Sequence, residues 1–149
     1  MIAVIQRVTE AKVEVEGKTV SACGKGFLVL LGVAEGDTER DMTLLADKIR
    51  KLRVFEDENG KMNKALTDVD GGLLVISQFT LLANYAHGNR PDFFGAAKPA
   101  VAEPLFEQFC SYIKEYIPKT EKGIFGADMQ VSLVNDGPVT IVMDSKILR

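Results

Sequence analysis

The sequence predicts an α+β domain in which two main helices pack on a mixed, largely antiparallel or barrel-like β-sheet. Apolar runs of strand length, alternating or unbroken, recur along the chain, with the clearest at residues 27–33 and 73–82. Two longer stretches, residues 42–52 and 105–116, instead place their apolar residues on one face of a helix. The chain has 149 residues, the length of one ordinary domain, so we expect a single domain over residues 1–149.

Composition and charge limit the classes of function. The chain is 46% hydrophobic and 26% charged, as globular proteins are, and its net charge of −3 argues against a protein that grips long stretches of phosphate backbone. Contact with only the end of a nucleic acid remains compatible with that charge. The start of the chain does not resemble a secretion signal, and no apolar run approaches the roughly eighteen residues of a membrane span. We therefore expect a soluble, cytoplasmic protein.

The first half of the chain predicts a hairpin, a central strand and a helix. Residues 3–15 and 19–22 are two strands joined by a turn at residues 16–18, and residues 27–33 form an unbroken apolar strand. Thr38 and Asp41 resemble a capping box at the start of the first helix. The buried face of that helix is predicted from the spacing of Met42, Leu45, Ala46, Ile49 and Leu52.

Four cations cluster where this helix ends, namely Lys48, Arg50, Lys51 and Arg53. The simpler interpretation is a solvated face that suits the negative end of the helix dipole. The functional interpretation is a local basic patch for phosphates. A short strand at residues 53–56, a turn at Asn59 and Gly60 and a return strand within residues 61–66 follow.

The second half predicts a loop, a second helix and two closing strands. Residues 83–97 form the loop, which carries the chain's single histidine, His87. Glu103 and Pro104 are predicted to open the second helix, because proline is tolerated at a first helical position. Residues 129–134 and 139–143 are predicted to be two strands around a tight turn at residues 135–138.

Residues 73–82 are the stretch with the clearest chemical content. They read as one buried strand with Ser77, Gln78 and Thr80 in its middle, and with Ser77 and Phe79 on one face. A buried hydroxyl or amide without a partner costs about 1–3 kcal/mol, so the fold or a ligand must satisfy these groups. The structural interpretation is that they bond to neighbouring backbone.

The sequence offers little conventional catalytic machinery. Cys23 and Cys110 have no metal-ligand spacing and are predicted to be reduced thiols, and no Ser-His-Asp set or histidine pair can be assembled, so we expect neither a metal nor a cofactor. An enzyme built this way would use main-chain N–H donors and a group supplied by the substrate. The Gly137-Pro138 pair is the second candidate feature. The structural interpretation is an ordinary hairpin turn. The functional interpretation is a cis bond that presents a rigid pair of carbonyl oxygens.

Two motifs carry a resemblance to a known family. Ser-Gln-Phe-Thr-Leu at residues 77–81 and Asn-Asp-Gly-Pro-Val-Thr at residues 135–140, behind a start reading Ile-Gln-Arg-Val at residues 5–8, resemble the D-aminoacyl-tRNA deacylase family, also called the D-tyrosyl-tRNA deacylase family. The resemblance extends over essentially the whole chain. It implies a homodimeric esterase that removes D-amino acids, and wrongly attached glycine, from the 3′ end of tRNA.

The resemblance also implies roles for individual residues. Ser77, Gln78, Phe79 and Thr80 would line the catalytic site, with the N–H groups around Phe79 and Thr80 as oxyanion donors. Gly137 and Pro138, joined by a cis bond, would reach into the pocket of the other subunit and act as the chiral filter. Phe125 and Met129 would frame the terminal adenosine, and Arg7 would brace the Gly-Pro turn.

The lack of a catalytic residue set in the sequence favours a mechanism that needs no protein nucleophile. The scissile bond is an activated ester, and the 2′-hydroxyl of the terminal ribose lies beside the reacting carbonyl. Thr80 as a nucleophile is the second mechanism. Two other functions stay open from the sequence: a non-catalytic module that binds tRNA ends, and a hydrolase of small esters.

Overall fold

A computed structural model describes residues 1–148 as a six-stranded sheet, a separate two-stranded hairpin and two α-helices. Short 3₁₀ helices occupy Leu66–Val69, Phe79–Leu82 and Ser145–Leu148. The α-helices are α1 (Glu39–Arg50) and α2 (Pro99–Lys114). The strands are β1 (Ile2–Val15), β2 (Lys18–Cys23), β3 (Gly26–Gly32), β4 (Phe55–Glu56), β5 (Met62–Lys64), β6 (Gly72–Ser77), β7 (Thr120–Lys122) and β8 (Gln130–Asp144).

The long strand β1 organises the sheet. One edge of β1 pairs antiparallel with β3 and then with β2, and its other edge pairs antiparallel with β8. From β3 the sheet continues through parallel pairings to β6 and β7. The ends of this order approach each other, because the Ala22 N–H on β2 donates to the Glu121 carboxylate on β7 at 3.3 Å. The predicted mixed, largely antiparallel and barrel-like sheet with two helices is confirmed.

Both faces of the central strands are buried, which explains their unbroken apolar runs. Phe27 and Leu73 belong to the main core, together with Leu45 and Ile49 of α1 and Phe109 of α2. The alternate residues of the same strands contribute to a second buried cluster, formed by Val8, Ala11, Val13, Leu28, Leu74 and Ile76.

The predicted elements of the first half are present, although β2 begins inside the predicted turn, at Lys18, and both strands of the second hairpin are shorter than predicted. Glu16 and Gly17 turn the β1–β2 hairpin with φ of 51° and 78°, and β4 and β5 form the second hairpin. At the start of α1, the Asp41 carboxylate accepts a hydrogen bond from the Thr38 backbone N–H at 3.0 Å, as in a capping box. The short strand β7, in the second half of the chain, has no counterpart among the predicted elements.

The predicted start of the second helix at Glu103 and Pro104 is wrong. The helix α2 begins at Pro99, one turn earlier, and Pro104 lies inside it. A proline there removes the hydrogen bond to the carbonyl of Ala100, four residues earlier. Both residues are exposed, so water can bind that carbonyl and the helix tolerates the proline.

The predicted strand over residues 73–82 is correct only as far as Ser77. Its partner β3 ends at Gly32, so beyond Ser77 there is no strand to pair with, and Phe79–Leu82 turn into a 3₁₀ helix. The predicted alternation of faces therefore fails after Ser77. Ser77 and Gln78 are half-buried and Thr80 is exposed, so these polar groups are not buried in mid-strand.

The two closing strands predicted around a hairpin turn are in fact one strand. All of β8 runs antiparallel to β1, with Gly137 and Pro138 in its middle. Two consecutive strands that read as a hairpin can equally be one long strand with an insertion, because the local pattern is the same. Over residues 1–148, the structure contains no helix with the length and apolar character needed to cross a membrane.

Candidate active site

A cavity of about 520 Å³ lies beside the end of β6. It lies between the end of β6, the start of α2 and the segment that leads into β8. Ser77, Gln78, Phe79, Phe125 and Met129, all named from the sequence as site residues, line it together. The other lining residues are Leu31, Val33, Ile76, Phe93, Ala96, Ala97, Lys98, Pro99, Ala102, Phe106, Gly126, Ala127 and Val131.

The lining of this cavity is mostly apolar. Phe79 packs edge to face on Phe93, with ring centroids 5.0 Å apart, and Phe106 lies 6.0 Å from Phe125. Lys98 is the one ionisable side chain among the lining residues, all of which belong to the described part of the chain. A site of this kind holds an apolar or aromatic group and leaves acid–base chemistry to the ligand or to main-chain dipoles.

The turn from β6 into the 3₁₀ helix presents main-chain donors at the edge of the cavity. The Gln78 N–H still donates to the Leu31 carbonyl at 2.8 Å, as a last rung of the sheet. The 3₁₀ helix then starts at Phe79, and the first N–H groups of a helix have no acceptor within it. The N–H groups of Phe79 and Thr80 are therefore suited to bind an oxyanion.

The Thr80 hydroxyl does not line the cavity. It accepts a hydrogen bond from the Gln78 side-chain amide and is otherwise on the exposed side of the 3₁₀ helix. Of the four residues predicted to line the catalytic site, Ser77, Gln78 and Phe79 line the cavity, whereas Thr80, the next residue, is not among its lining residues.

Gly32 supports this arrangement and is not among the residues that the sequence indicates. A Cβ at Gly32 would lie 2.9 Å from the Gln78 carbonyl oxygen and 2.7 Å from Cδ2 of Leu82. The 3₁₀ helix can pack on β3 only because Gly32 has no side chain. The sequence also gives no sign of Phe93, Lys98 and Ala102 as cavity residues, because residues 83–97 have the pattern of a plain loop and the start of α2 is predicted too late.

Gly137 and Pro138 form a bulge on β8 at a distance from the cavity. Along β1, Gln6 pairs with Thr140 and Val8 with Asn135, so two steps on β1 correspond to five steps on β8. The extra residues protrude as an exposed loop, and the peptide bond between Gly137 and Pro138 is cis. We call residues 135–140 the β8 bulge.

Two side chains hold the β8 bulge. The Asn135 side chain accepts from the Val139 N–H at 2.8 Å and donates to the Thr140 hydroxyl at 2.9 Å, closing the base of the loop. Arg7 is 6% exposed and donates to the Asp136 carbonyl at 3.0 Å and to the Val54 carbonyl at 2.7 Å. Arg7 thus contacts the bulge directly, whereas neither it nor the Gly-Pro pair lines the cavity of the same chain.

The remaining nucleophilic side chains lie elsewhere. Cys23 and Cys110 are free thiols outside the cavity lining. Burial is the main cause that raises the pKa of Cys23 to about 11 and that of Cys110 to about 12. Both thiols therefore stay protonated and unreactive at neutral pH. His87 lies exposed in the loop before α2.

Comparisons with known proteins show which proteins this chain resembles. The family model described as D-Tyr-tRNA(Tyr) deacylase matches residues 4–144. A protein named D-aminoacyl-tRNA deacylase from Thermosipho africanus (strain TCF52B) is 56% identical over 146 residues, which is 98% of this chain and 98% of that protein. A protein of the same name from Thermus aquaticus is 55% identical over 145 residues, which is 97% of this chain and 95% of that protein.

Two solved structures share the fold. A c-Myc DNA unwinding element binding protein superposes with a TM-score of 0.92 at 43% identity, covering 97% of this chain and 98% of that chain. A probable eukaryotic D-amino acid tRNA deacylase superposes with a TM-score of 0.81 at 15% identity, over 96% of this chain and 98% of that one. With the match to the family model and relatives above half identity over nearly the full length, the chain belongs to the D-Tyr-tRNA(Tyr) deacylase family.

Proposed function

We propose that the protein hydrolyses the ester bond of D-aminoacyl-tRNA and releases the free amino acid and the tRNA. The observation that carries this proposal is an apolar cavity lined by Ser77, Gln78 and Phe79 where a 3₁₀ helix starts, in a chain that belongs to a deacylase family. The cavity would hold the aminoacylated 3′ end of the tRNA. Phe125 and Met129, which line it, are suited to frame the terminal adenine.

Main-chain donors and the substrate would share the chemistry. The N–H groups of Phe79 and Thr80 would stabilise the oxyanion that forms as the ester carbonyl is attacked, a contribution of several kcal/mol when two donors are correctly aimed. The 2′-hydroxyl of the terminal ribose would assist the attacking water, because it lies beside the reacting carbonyl. The cavity lining formed by residues 1–148 contains no carboxylate, imidazole or thiol, which is consistent with this division.

Replacing Thr80 by valine is expected to leave kcat within about tenfold of the wild-type value, because the Thr80 backbone N–H is retained and only the exposed hydroxyl is removed. Single-turnover hydrolysis of D-tyrosyl-tRNA measures the effect. A complete loss of activity in a folded Thr80→Val protein would instead make the hydroxyl the nucleophile, the second mechanism.

Replacing Gly32 by alanine is expected to lower kcat about 10- to 100-fold with little change in KM. The added Cβ would collide with the Gln78 carbonyl and Leu82, so the 3₁₀ helix and its two donors must shift relative to the cavity. Steady-state kinetics on D-tyrosyl-tRNA provide the measurement, and circular dichroism checks the fold. Unchanged kcat would show that the position of the 3₁₀ helix does not control the reaction.

The β8 bulge would provide chiral selection to a second subunit. Gly137 and Pro138 are not among the residues that line the cavity of their own chain, and both are exposed. The bulge is therefore available to a second subunit. We propose a homodimer in which Gly137 and Pro138 of each subunit enter the cavity of the other and form a wall that an L side chain would strike.

Several features of β8 support an interface there. Among residues 1–148, β8 pairs with β1 along one edge, and Val134 and Val142 are 49% and 69% exposed. The bulge itself is exposed and braced by the buried Arg7. Sedimentation velocity, combined with activity measured over a dilution series, tests the dimer: activity should fall as the dimer dissociates, and full activity in a monomer would refute the shared site.

The activity is tested with three substrates, D-tyrosyl-tRNA, L-tyrosyl-tRNA and glycyl-tRNA, by following release of the amino acid. We expect hydrolysis of the first and the last, because glycine has no side chain to strike the wall, and no hydrolysis of the L-ester. If the protein protected all three esters from hydrolysis, it would instead be a module that binds tRNA ends. No specific observation favours that alternative. Equal hydrolysis of both enantiomers would refute the wall.

A further inference from the structure

Three exposed cations follow one another where α1 ends. Lys48, Lys51 and Arg53 are exposed, and we call these three residues the cationic segment. Arg50 between them has a structural role, because its guanidinium binds the Asp47 carboxylate at 2.8 Å and stacks 3.7 Å from the centre of the Tyr116 ring. Arg50 therefore braces the fold, whereas the other three cations face solvent, as both interpretations of this cluster from the sequence require.

The cationic segment borders a small concave site. A pocket of about 190 Å³ is lined by Arg50, Lys51, Arg53, Ala65, Thr67, Asp68, Tyr116 and Ile117. Its one acidic side chain, Asp68, accepts a hydrogen bond from the Ala65 N–H at 2.8 Å at the start of a 3₁₀ helix. Nε of Arg53 donates to the Asn63 carbonyl at 2.9 Å, which orients the guanidinium and leaves its terminal N–H groups for another acceptor.

One buried guanidinium ties this site to the β8 bulge. Arg7 donates to the carbonyl of Val54, the residue directly after Arg53, and also to the carbonyl of Asp136 in the bulge. The backbone at the end of the cationic segment and the backbone of the bulge are thus held on either side of a single side chain that is 6% exposed. The bulge and the cationic segment of one subunit therefore lie near each other, wherever that bulge docks.

We propose that the cationic segment of one subunit binds backbone phosphates of the tRNA whose 3′ end occupies the cavity of the other subunit. This inference rests on the proposed function and on the shared site. The chain as a whole carries a charge of −3, which does not attract a polyanion, so binding requires a local positive patch at the place where the RNA arrives. Phosphate contacts of this kind set position and affinity without reading sequence.

The first experiment separates phosphate binding from chemistry. The triple variant Lys48→Gln, Lys51→Gln, Arg53→Gln is compared with wild type on D-tyrosyl-tRNA and on 3′-O-D-tyrosyl-adenosine, which carries no phosphate. For the tRNA we expect KM to rise about tenfold at similar kcat. The slope of log KM against log salt should fall by roughly two, about 0.7 for each single-strand phosphate that the variant no longer neutralises. For the adenosine ester we expect no change.

A control for the loss of a single surface charge comes from the other end of the same helix. Arg40 is exposed near the start of α1, about 15 Å from Arg50 at the rise of an α-helix, and Arg40→Gln should leave the tRNA kinetics unchanged.

Binding of uncharged tRNA, measured by fluorescence anisotropy, needs no hydrolysis and should weaken about tenfold in the triple variant. If the wild-type protein hydrolysed neither ester, the proposed function would fail, but the binding measurement would still test whether the cationic segment binds phosphates. Equal tRNA affinities of the triple variant and the wild type would overturn the proposal that the cationic segment binds phosphates.

Mixed dimers test whether the segment acts across the interface. When one subunit carries Ala102→Trp, which fills its cavity, only its partner's cavity works. If the triple charge variant is placed in that working subunit, we expect a wild-type KM, because the working cavity is served by the other subunit's cations. If it is placed in the Ala102→Trp subunit, KM should rise about tenfold. The opposite pattern would show that each segment serves its own cavity.

Discussion

Replacing Ala102 by tryptophan is expected to lower kcat/KM for D-tyrosyl-tRNA by at least about 100-fold. Ala102 is 8% exposed on the buried face of α2 and lines the cavity of about 520 Å³. An indole at this position would occupy the space proposed for the aminoacylated end, so the substrate could not reach the Phe79 and Thr80 donors. Overpacking at the edge of a cavity costs about 1–3 kcal/mol, and the protein should still fold.

The adjacent residue offers a control with the same substitution. Val101 is 49% exposed and does not line the cavity, so Val101→Trp adds the same indole to the solvent side of α2. Hydrolysis should stay near the wild-type rate in that variant. If both variants lost activity equally, the effect would come from the helix rather than from the cavity, and the assignment of the site would fail.

Replacing Gly137 by alanine is expected to lower kcat/KM about 100-fold and to weaken the discrimination between D- and L-tyrosyl-tRNA. Gly137 has a φ of +134°, which L side chains rarely adopt, and a Cβ there would lie 2.8 Å from Cγ2 of Val139 and 3.1 Å from Nη2 of Arg7. The bulge must shift to accommodate the methyl group, and a displacement of about 1 Å can cost about 100-fold in rate. The strained backbone should lower stability by about 1–3 kcal/mol.

Gly17 allows the backbone strain to be separated from the displacement. Its φ is +78°, in the turn between β1 and β2, and a Cβ at this position would meet no atom within 4 Å. Gly17→Ala should therefore lose stability in urea denaturation but keep its kinetics and its preference for the D-ester. Equal kinetic losses in the two variants would mean that lowered stability, and not the position of the bulge, explains the result for Gly137.

Arg7 connects the two features that the proposals assign to the second subunit. Its guanidinium satisfies carbonyls of Asp136 and Val54 from a buried position, so one side chain sets both the bulge and the end of the cationic segment. From the sequence, Arg7 is expected only to brace the Gly-Pro turn, as the family resemblance implies. Its contact with Val54 is long-range, 47 residues along the chain, and no local pattern indicates it.

The elements that the sequence predicts correctly are those decided by local chemistry. The apolar periodicity of α1, the capping pair Thr38 and Asp41 and the turn at Glu16 and Gly17 each depend on residues within a few positions of one another. The motif at residues 77–81 indicates Ser77, Gln78 and Phe79 as site residues. The fold places them at one cavity with Phe125 and Met129, and their roles in the reaction stay a prediction. Alternating and unbroken apolar runs also suffice for the class of the sheet.

The errors lie where a distant partner decides the structure. The strand over residues 73–82 ends at Ser77 because β3, its partner, ends at Gly32, and the two closing strands are one because β1 is long enough to pair with both. Pairing partners are not visible in a local pattern, and a bulge reads there as a turn. The sequence alone therefore determined the family resemblance, the presence of two helices and the site motifs. Only the tertiary structure decided that the Gly-Pro pair lies on a continuous strand away from its own cavity, because that depends on the register between strands more than 100 residues apart along the chain.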